Sequence, residues 1–176
     1  DANREPDHSV MCALVRNAFD PMDFTPMNLY KVPRIKRVTT ATFELATSVI
    51  FLSGIQHYAE SPEGMMHVPG NIKEFLRKLP DSWDDVQFID GYPGKLYVVA
   101  RKAGSKWYVA GINGENANKE LTLELSFLKN RTGQLISSGN NFKDEPSFDV
   151  KSIVIPGSGK PNVLLKGNDG FVAVFD

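Results

Sequence analysis

Few groups in this chain of 176 residues have types and spacings suited to chemistry. His8, His57 and His67 are far apart, and none stands in an HxH or HExxH arrangement, so their spacing builds no zinc site. Asp81, Asp84 and Asp85 cluster but lack the glycine and terminal glutamate of a calcium loop, and a solvated turn is the expectation. Neither GxSxG nor a Cys/His signature is present. Cys12 falls on the apolar side of a predicted helix and reads as a small buried hydrophobe. Gly157-Ser158-Gly159 lies between predicted strands and makes a poor phosphate cradle.

Two carboxylates remain. Asp23 lies in a short segment between Pro21 and Pro26, and Glu60 closes a second short segment that begins at Ile55. Both segments read as strands. In a parallel barrel the active site collects at the C-terminal strand ends, which would bring Asp23 and Glu60 to one face. Cleaving a glycosidic bond takes two flanking carboxylates. Spacing alone leaves that reading open beside a plainer and favoured one, in which both cap helices or hold loops. Gln56 and His57, just before Glu60, suit a hydroxyl-rich ligand. Trp83, Trp107, Tyr92, Tyr97 and Tyr108 could stack on sugars, but their alternation within strands favours core packing.

Composition narrows the classes. At 41% hydrophobic and 23% charged residues the chain can fill a core. Twenty basic against 21 acidic residues leave a net charge of -1, without the basic footprint of an obligate nucleic-acid or anionic-membrane partner. A single cysteine excludes an internal disulfide framework. The longest apolar stretch, around Val49-Ile50-Phe51-Leu52, is far short of the ~20 residues of a membrane span. The start, Asp1-Ala2-Asn3-Arg4, has neither an initiator Met nor the pattern of a signal peptide, and the expectation is a piece of a longer protein.

The elements that must position these residues change character near residue 80. Before it the periodicity is helical. A helix is predicted over residues 10–19, capped by Asp7 or Ser9 with Pro6 outside it. A second follows Thr39 or Thr40, with Glu44 placed like a capping-box partner, and stops near Ser53-Gly54. A third covers residues 71–78. The basic run from Lys31 to Arg37 reads as solvated surface. Helices alternating with short strands are the grammar of a parallel α/β sheet or barrel. Two strands and three helices close neither, so residues 1–80 read as the tail of a larger α/β domain. After residue 80, eight strands are predicted over 86–90, 95–102, 106–113, 120–127, 133–137, 150–155, 162–166 and 171–175, with a hairpin turn at Ala103-Gly104-Ser105. Leu121, Leu123 and Leu125 alternate with Thr122 and Glu124, one face buried and one wet. That pattern is an antiparallel β-sandwich.

Several segments resemble one family. Arg16-Asn17 followed by Pro21-Met22-Asp23-Phe24-Thr25-Pro26 is similar to the R-N…G-P-M-D-[FY]-T-P segment of glycoside hydrolase family 97. Residues 40–61, TATFELATSVIFLSGIQHYAES, resemble its E-L-A…V-V-F-E-S-x-[LI]-Q-x-x-A-D-S-P stretch. Lys106-Trp107-Tyr108-Val109-Ala110-Gly111 and residues 121–128 resemble its C-terminal sandwich. The resemblance is collinear over essentially the whole chain.

What it implies is an α+β, multidomain arrangement: residues 1–80 as the last βα units of a (β/α)8 catalytic barrel, residues 81–176 as the C-terminal β-sandwich. The parent protein would be an exo-acting bacterial α-glucosidase or α-galactosidase of polysaccharide utilisation, exported or periplasmic, with oligosaccharide substrates. The family's general-acid glutamate and calcium-binding glutamates follow a pattern like E-[GA]-V-R-G-x-E, which has no match here. Calcium would be held by the parent enzyme outside this chain, no catalytic role passes to Asp23 or Glu60, and the chain alone would be inactive. Asp23 matches the aspartate of the D-[FY]-T-P motif and Gln56 the Gln near the last strand; both would stand at the pocket rim, contacting substrate or supporting it. Asp20 replaces the usual Gly, and Glu60 the usual Asp. Glucose or galactose, inversion or retention, and oligomeric state all stay open. The alternative is a non-catalytic carbohydrate-binding or interaction module, which would present Trp107 and Tyr97 outward together.

Overall fold

Strands form where the apolar alternation is strongest. The computed structural model describes residues 2–25, 28–31, 34–140 and 146–176. Within them lie β1 (Asp85–Tyr92), β2 (Leu96–Ala103), β3 (Lys106–Asn113), β4 (Lys119–Thr122), β5 (Thr132–Ser138), β6 (Phe148–Val154), β7 (Asn162–Leu165) and β8 (Gly170–Phe175). A six-stranded antiparallel sheet has the order β1-β2-β3-β8-β5-β6, and β4 pairs with β7 in a two-stranded layer. The β2–β3 hairpin turns on Gly104, whose φ of 60° lies in the left-handed region that favours glycine. The strand predicted over 120–127 ends at Thr122. Leu123 and Leu125 still face inward, but their N–H groups bond to Pro161 and Gly159 carbonyls of a loop, not to a ladder.

Four helices precede the strands: α1 (Glu5–Val15), α2 (Ala41–Ile50), α3 (Pro62–His67) and α4 (Gly70–Arg77). α1 starts earlier than predicted. Pro6 sits in its first turn, where a missing N–H costs no hydrogen bond, so Asp7 and Ser9 lie inside the helix instead of capping it. Thr40 caps α2 as expected, its hydroxyl accepting from Phe43 N at 3.0 Å. The capping box does not form, because Phe43 occupies the third position and Glu44 the fourth; Glu44 instead accepts a bond from the Thr39 hydroxyl. α2 ends at Ile50 because Phe51 is extended. α3 was not expected; Ser61 caps it through Gly64 N at 2.9 Å.

The large sheet has two dry faces. Tyr97, Val99, Tyr108, Ala110, Ile112 and Val172 pack against the helices. Leu96, Val98, Val109, Phe171 and Phe175 pack under β4, β7 and their loops. Buried on both sides, β2 and β3 read as near-continuous apolar runs. All ten residues of α2 are buried, the polar Thr42, Glu44, Thr47 and Ser48 among them, so the helix is enclosed on every side and its polar groups are met by hydrogen bonds inside the molecule. No helix among the described residues is long and apolar enough to cross a membrane.

Candidate functional site

The two short segments that carry Asp23 and Gln56 meet in a parallel bridge, Phe24 to Gln56. Both hang from the C-terminal end of α2. A helix end leaves its last carbonyls without intrahelical partners, and here those of Ser48, Ile50, Phe51 and Leu52 find partners outside the helix. The Gln56 amide nitrogen donates to Ser48 O at 3.1 Å and Phe51 O at 3.2 Å. Asn17 donates to Leu52 O at 2.8 Å and accepts from Leu52 N at 2.6 Å. Met22 N bonds to Leu52 O at 3.1 Å. From the sandwich, the Arg101 guanidinium reaches Ile50 O at 2.8 Å. The Phe24 ring lies 4.1 Å from that of Phe51, sealing the junction.

Within this frame Asp23 is exposed and Gln56 half-buried. With its nitrogen committed to α2, Gln56 offers a ligand only its amide oxygen. Glu60 holds a loop: one carboxylate oxygen accepts from Leu29 N at 2.7 Å and Tyr30 N at 2.8 Å, the other from Ser61 N at 3.0 Å. Tyr30 stacks flat on His67, centroids 4.2 Å apart. The basic run is not wholly solvated: Arg37 is buried and donates to the carbonyls of Thr39, Asn28 and Tyr30. Pro26, which ends the D-F-T-P segment, and Met27, Val32 and Pro33 of the following loop lie outside the described residues.

Towards the other end of α2, the buried Glu44 stands close to the half-buried Glu5 of α1. Burial holds Glu44 well above the ordinary carboxylate value, the Glu5 charge adds to this, and the Thr39 hydroxyl and Arg37 oppose it. Glu5 is raised too, mainly by burial, with Glu44 and the Arg37 charge opposing the shift. Burial and mutual repulsion thus both favour the protonated form of Glu44.

Other candidate groups are accounted for locally. Asp84 accepts from Gly104 N and Asp85 from Val86 N. Cys12 is half-buried, not fully, with its sulfur 3.6 Å from His8 Nε2. No three His, Cys, Asp or Glu side chains converge on a possible metal position among the described residues. Tyr97 and Trp107, 9% and 6% exposed, point into opposite cores, so the outward pair that a sugar-binding face would need is not formed.

The comparisons with known proteins fit this geometry. Residues 82–176 match the family described as glycosyl-hydrolase 97 C-terminal, oligomerisation. The chain belongs to glycoside hydrolase family 97. Its relatives include a probable retaining alpha-galactosidase of Streptomyces bingchenggensis, 29% identical over 95% of this chain and 25% of the relative. Another is a retaining alpha-galactosidase of Bacteroides thetaiotaomicron, 28% identical over 93% of this chain and 26% of the relative. Among solved structures, a beta-arabinopyranosidase superposes with a TM-score of 0.89 at 26% identity, covering 98% of this chain and 28% of that one. A family 97 enzyme from Pseudoalteromonas sp. strain K8, solved with acarbose, shares the fold with a TM-score of 0.80 at 24% identity, over 97% of this chain and 28% of its own. This family 97 chain thus spans about a quarter of the length of the relatives it matches.

Two residues that hold the ends of α2 went unnoticed in the sequence. Arg101 shares the helix-facing side of β2 with Tyr97 and Val99. A charge at an inward position of an alternating strand is the signal that marks it. Asp169, which anchors the opposite end of α2, carries no such mark.

Proposed function

We propose that residues 1–80 are the last βα units of a (β/α)8 catalytic barrel and residues 81–176 the sandwich that supports it, in an exo-acting α-glycosidase of galactoside type. The observation that carries this is the parallel bridge between Phe24 and Gln56, the one parallel pairing among the described residues. It sets Asp23 and Gln56 on adjacent strands, as neighbouring barrel strands would be. At the rim, the Asp23 carboxylate and the Gln56 amide oxygen accept hydrogen bonds from sugar hydroxyls.

The galacto choice follows from the relatives. An α-D-galactopyranoside and a β-L-arabinopyranoside differ only in the hydroxymethyl at C5, so one pocket shape serves both. Cleavage would pass through an oxocarbenium-like transition state with retention, the relatives being named retaining. That mechanism takes two carboxyls about 5 Å apart, one acid and one nucleophile. Both are assigned to the part of the relatives beyond this match, since Glu60 is held by backbone N–H groups. Calcium is assigned there too, because no three His, Cys, Asp or Glu side chains converge among the described residues. The protein is read as exported, to the periplasm in a bacterium with two membranes.

The test is turnover by the complete protein. It should release nitrophenol from nitrophenyl α-galactopyranoside, with α-galactose as first product by NMR, and act on the α-glucoside about 100-fold less well. The 176-residue chain alone should release none. Absence of turnover on any α-glycoside by the complete protein would contradict the reading.

A further inference from the structure

The sandwich grips α2 at both ends with side chains whose charges oppose the helix dipole. At the N-terminus, Asp169 accepts from the Thr40 hydroxyl at 2.6 Å, and Thr40 N bonds to Asn168 O at 3.1 Å. Asp169 also accepts from Gly170 N at 2.8 Å, which fixes its carboxylate to the start of β8. A Cβ on Gly170 would lie 2.8 Å from Phe43 Cα, so helix and strand touch backbone to backbone there. At the C-terminus stands Arg101. An anion at the N-terminal end and a cation at the C-terminal end are the favourable placements, and burial strengthens both.

Arg101 is a costly choice for a merely structural role. It is buried, its Nε has no hydrogen-bond partner among the described residues, and none of the ion pairs among them includes it. A well-packed apolar residue of similar volume is often as stabilising as a buried charge. What the guanidinium supplies is direction, a fixed bond to one carbonyl in the turn from which Gln56, Asn17 and Met22 hang.

We propose that Arg101 is a positioning residue of the substrate pocket, by which the sandwich fixes the last turn of α2 and, through it, the strands of Asp23 and Gln56. The inference rests on the pocket reading above. Because the rim residues act on substrate and transition state alike, loosening them weakens binding more than chemistry.

The experiment compares Arg101→Met and Arg101→Lys with wild type in the complete protein. Arg101→Met should raise KM for nitrophenyl α-galactopyranoside about tenfold with kcat within about threefold, and Arg101→Lys should recover part of the loss. In the same proteins, amide exchange over residues 51–56 should quicken in Arg101→Met, whether or not the substrate is the right one. Leu165→Ala, in the opposite core, should lower the melting temperature and leave KM unchanged. The proposal is overturned if KM and amide exchange of Arg101→Met stay within about twofold of wild type, or if Leu165→Ala raises KM as much. A wild type that is inactive on every glycoside, with exchange still quickened in Arg101→Met, would overturn the pocket reading and leave the clamp standing.

Discussion

At the scale of single residues, Glu60 shows how a chemically suggestive carboxylate is taken by architecture. Three backbone N–H groups point at it, so its negative charge is a loop anchor. Removing it strands the Leu29 and Tyr30 donors, at a cost of about 1–3 kcal/mol per group left unsatisfied. Glu60→Ala should therefore lower stability by roughly 2 kcal/mol or more in denaturant titrations, and Glu60→Gln by less, since one acceptor oxygen survives. Gly64→Ala should partly copy the loss, because its new Cβ would lie 1.9 Å from the present place of the Glu60 carboxylate. Equal stability of all three variants with wild type would remove Glu60 from this role. Residue spacing brought out Asp23, Gln56 and Glu60 and the Thr40 cap. It could not reveal that the Gln56 nitrogen faces two carbonyls, because those partners come from a helix end whose place was read two residues too late.

At the scale of elements, α2 governs the rest. It was legible as a helix from its end signals, with Thr40 marking its start and Ser53-Gly54 its stop. Its surroundings were not legible, since Asp169 lies 129 positions away in sequence. The Glu5–Glu44 pair gives α2 a pH dependence with a definite sign. Both carboxyls are held above the ordinary value of 4.5, so the folded chain keeps a proton that the unfolded chain releases. The pair's stabilisation is complete below about pH 4.5 and is lost as pH rises through the raised folded value. Glu44→Gln keeps a donor for Glu5 and an acceptor for Thr39 while removing the titration. Its melting temperature should fall less than that of wild type between about pH 5 and pH 8. Parallel melting curves across that range would show that folding does not raise the Glu44 carboxyl.

For the whole molecule, the sandwich was the legible half. Its eight strands follow from alternation and turn residues, each within a few positions of its prediction except the strand that ends at Thr122. Residues 2–80 were harder, because short segments of a parallel architecture have little periodicity of their own. Their apolar surface also remains open: Phe19 is 84% exposed, Met66 72% and Ile55 66%. Phe19 and Met66 are the most exposed of the large apolar side chains among the described residues, and surface of that kind suits contact with further protein. The chain spans about a quarter of its relatives, and the rest of the proposed barrel is the occupant we propose for this surface, with the sandwich as the base on which α2 is fixed. The most direct measurement of that account is hydrogen exchange of the complete protein with and without saturating galactose. The account predicts slower exchange over residues 22–25 and 55–57 when the sugar is bound, with β4 and β7 unchanged. Unchanged exchange at both rim segments, with protection elsewhere in the protein, would contradict it.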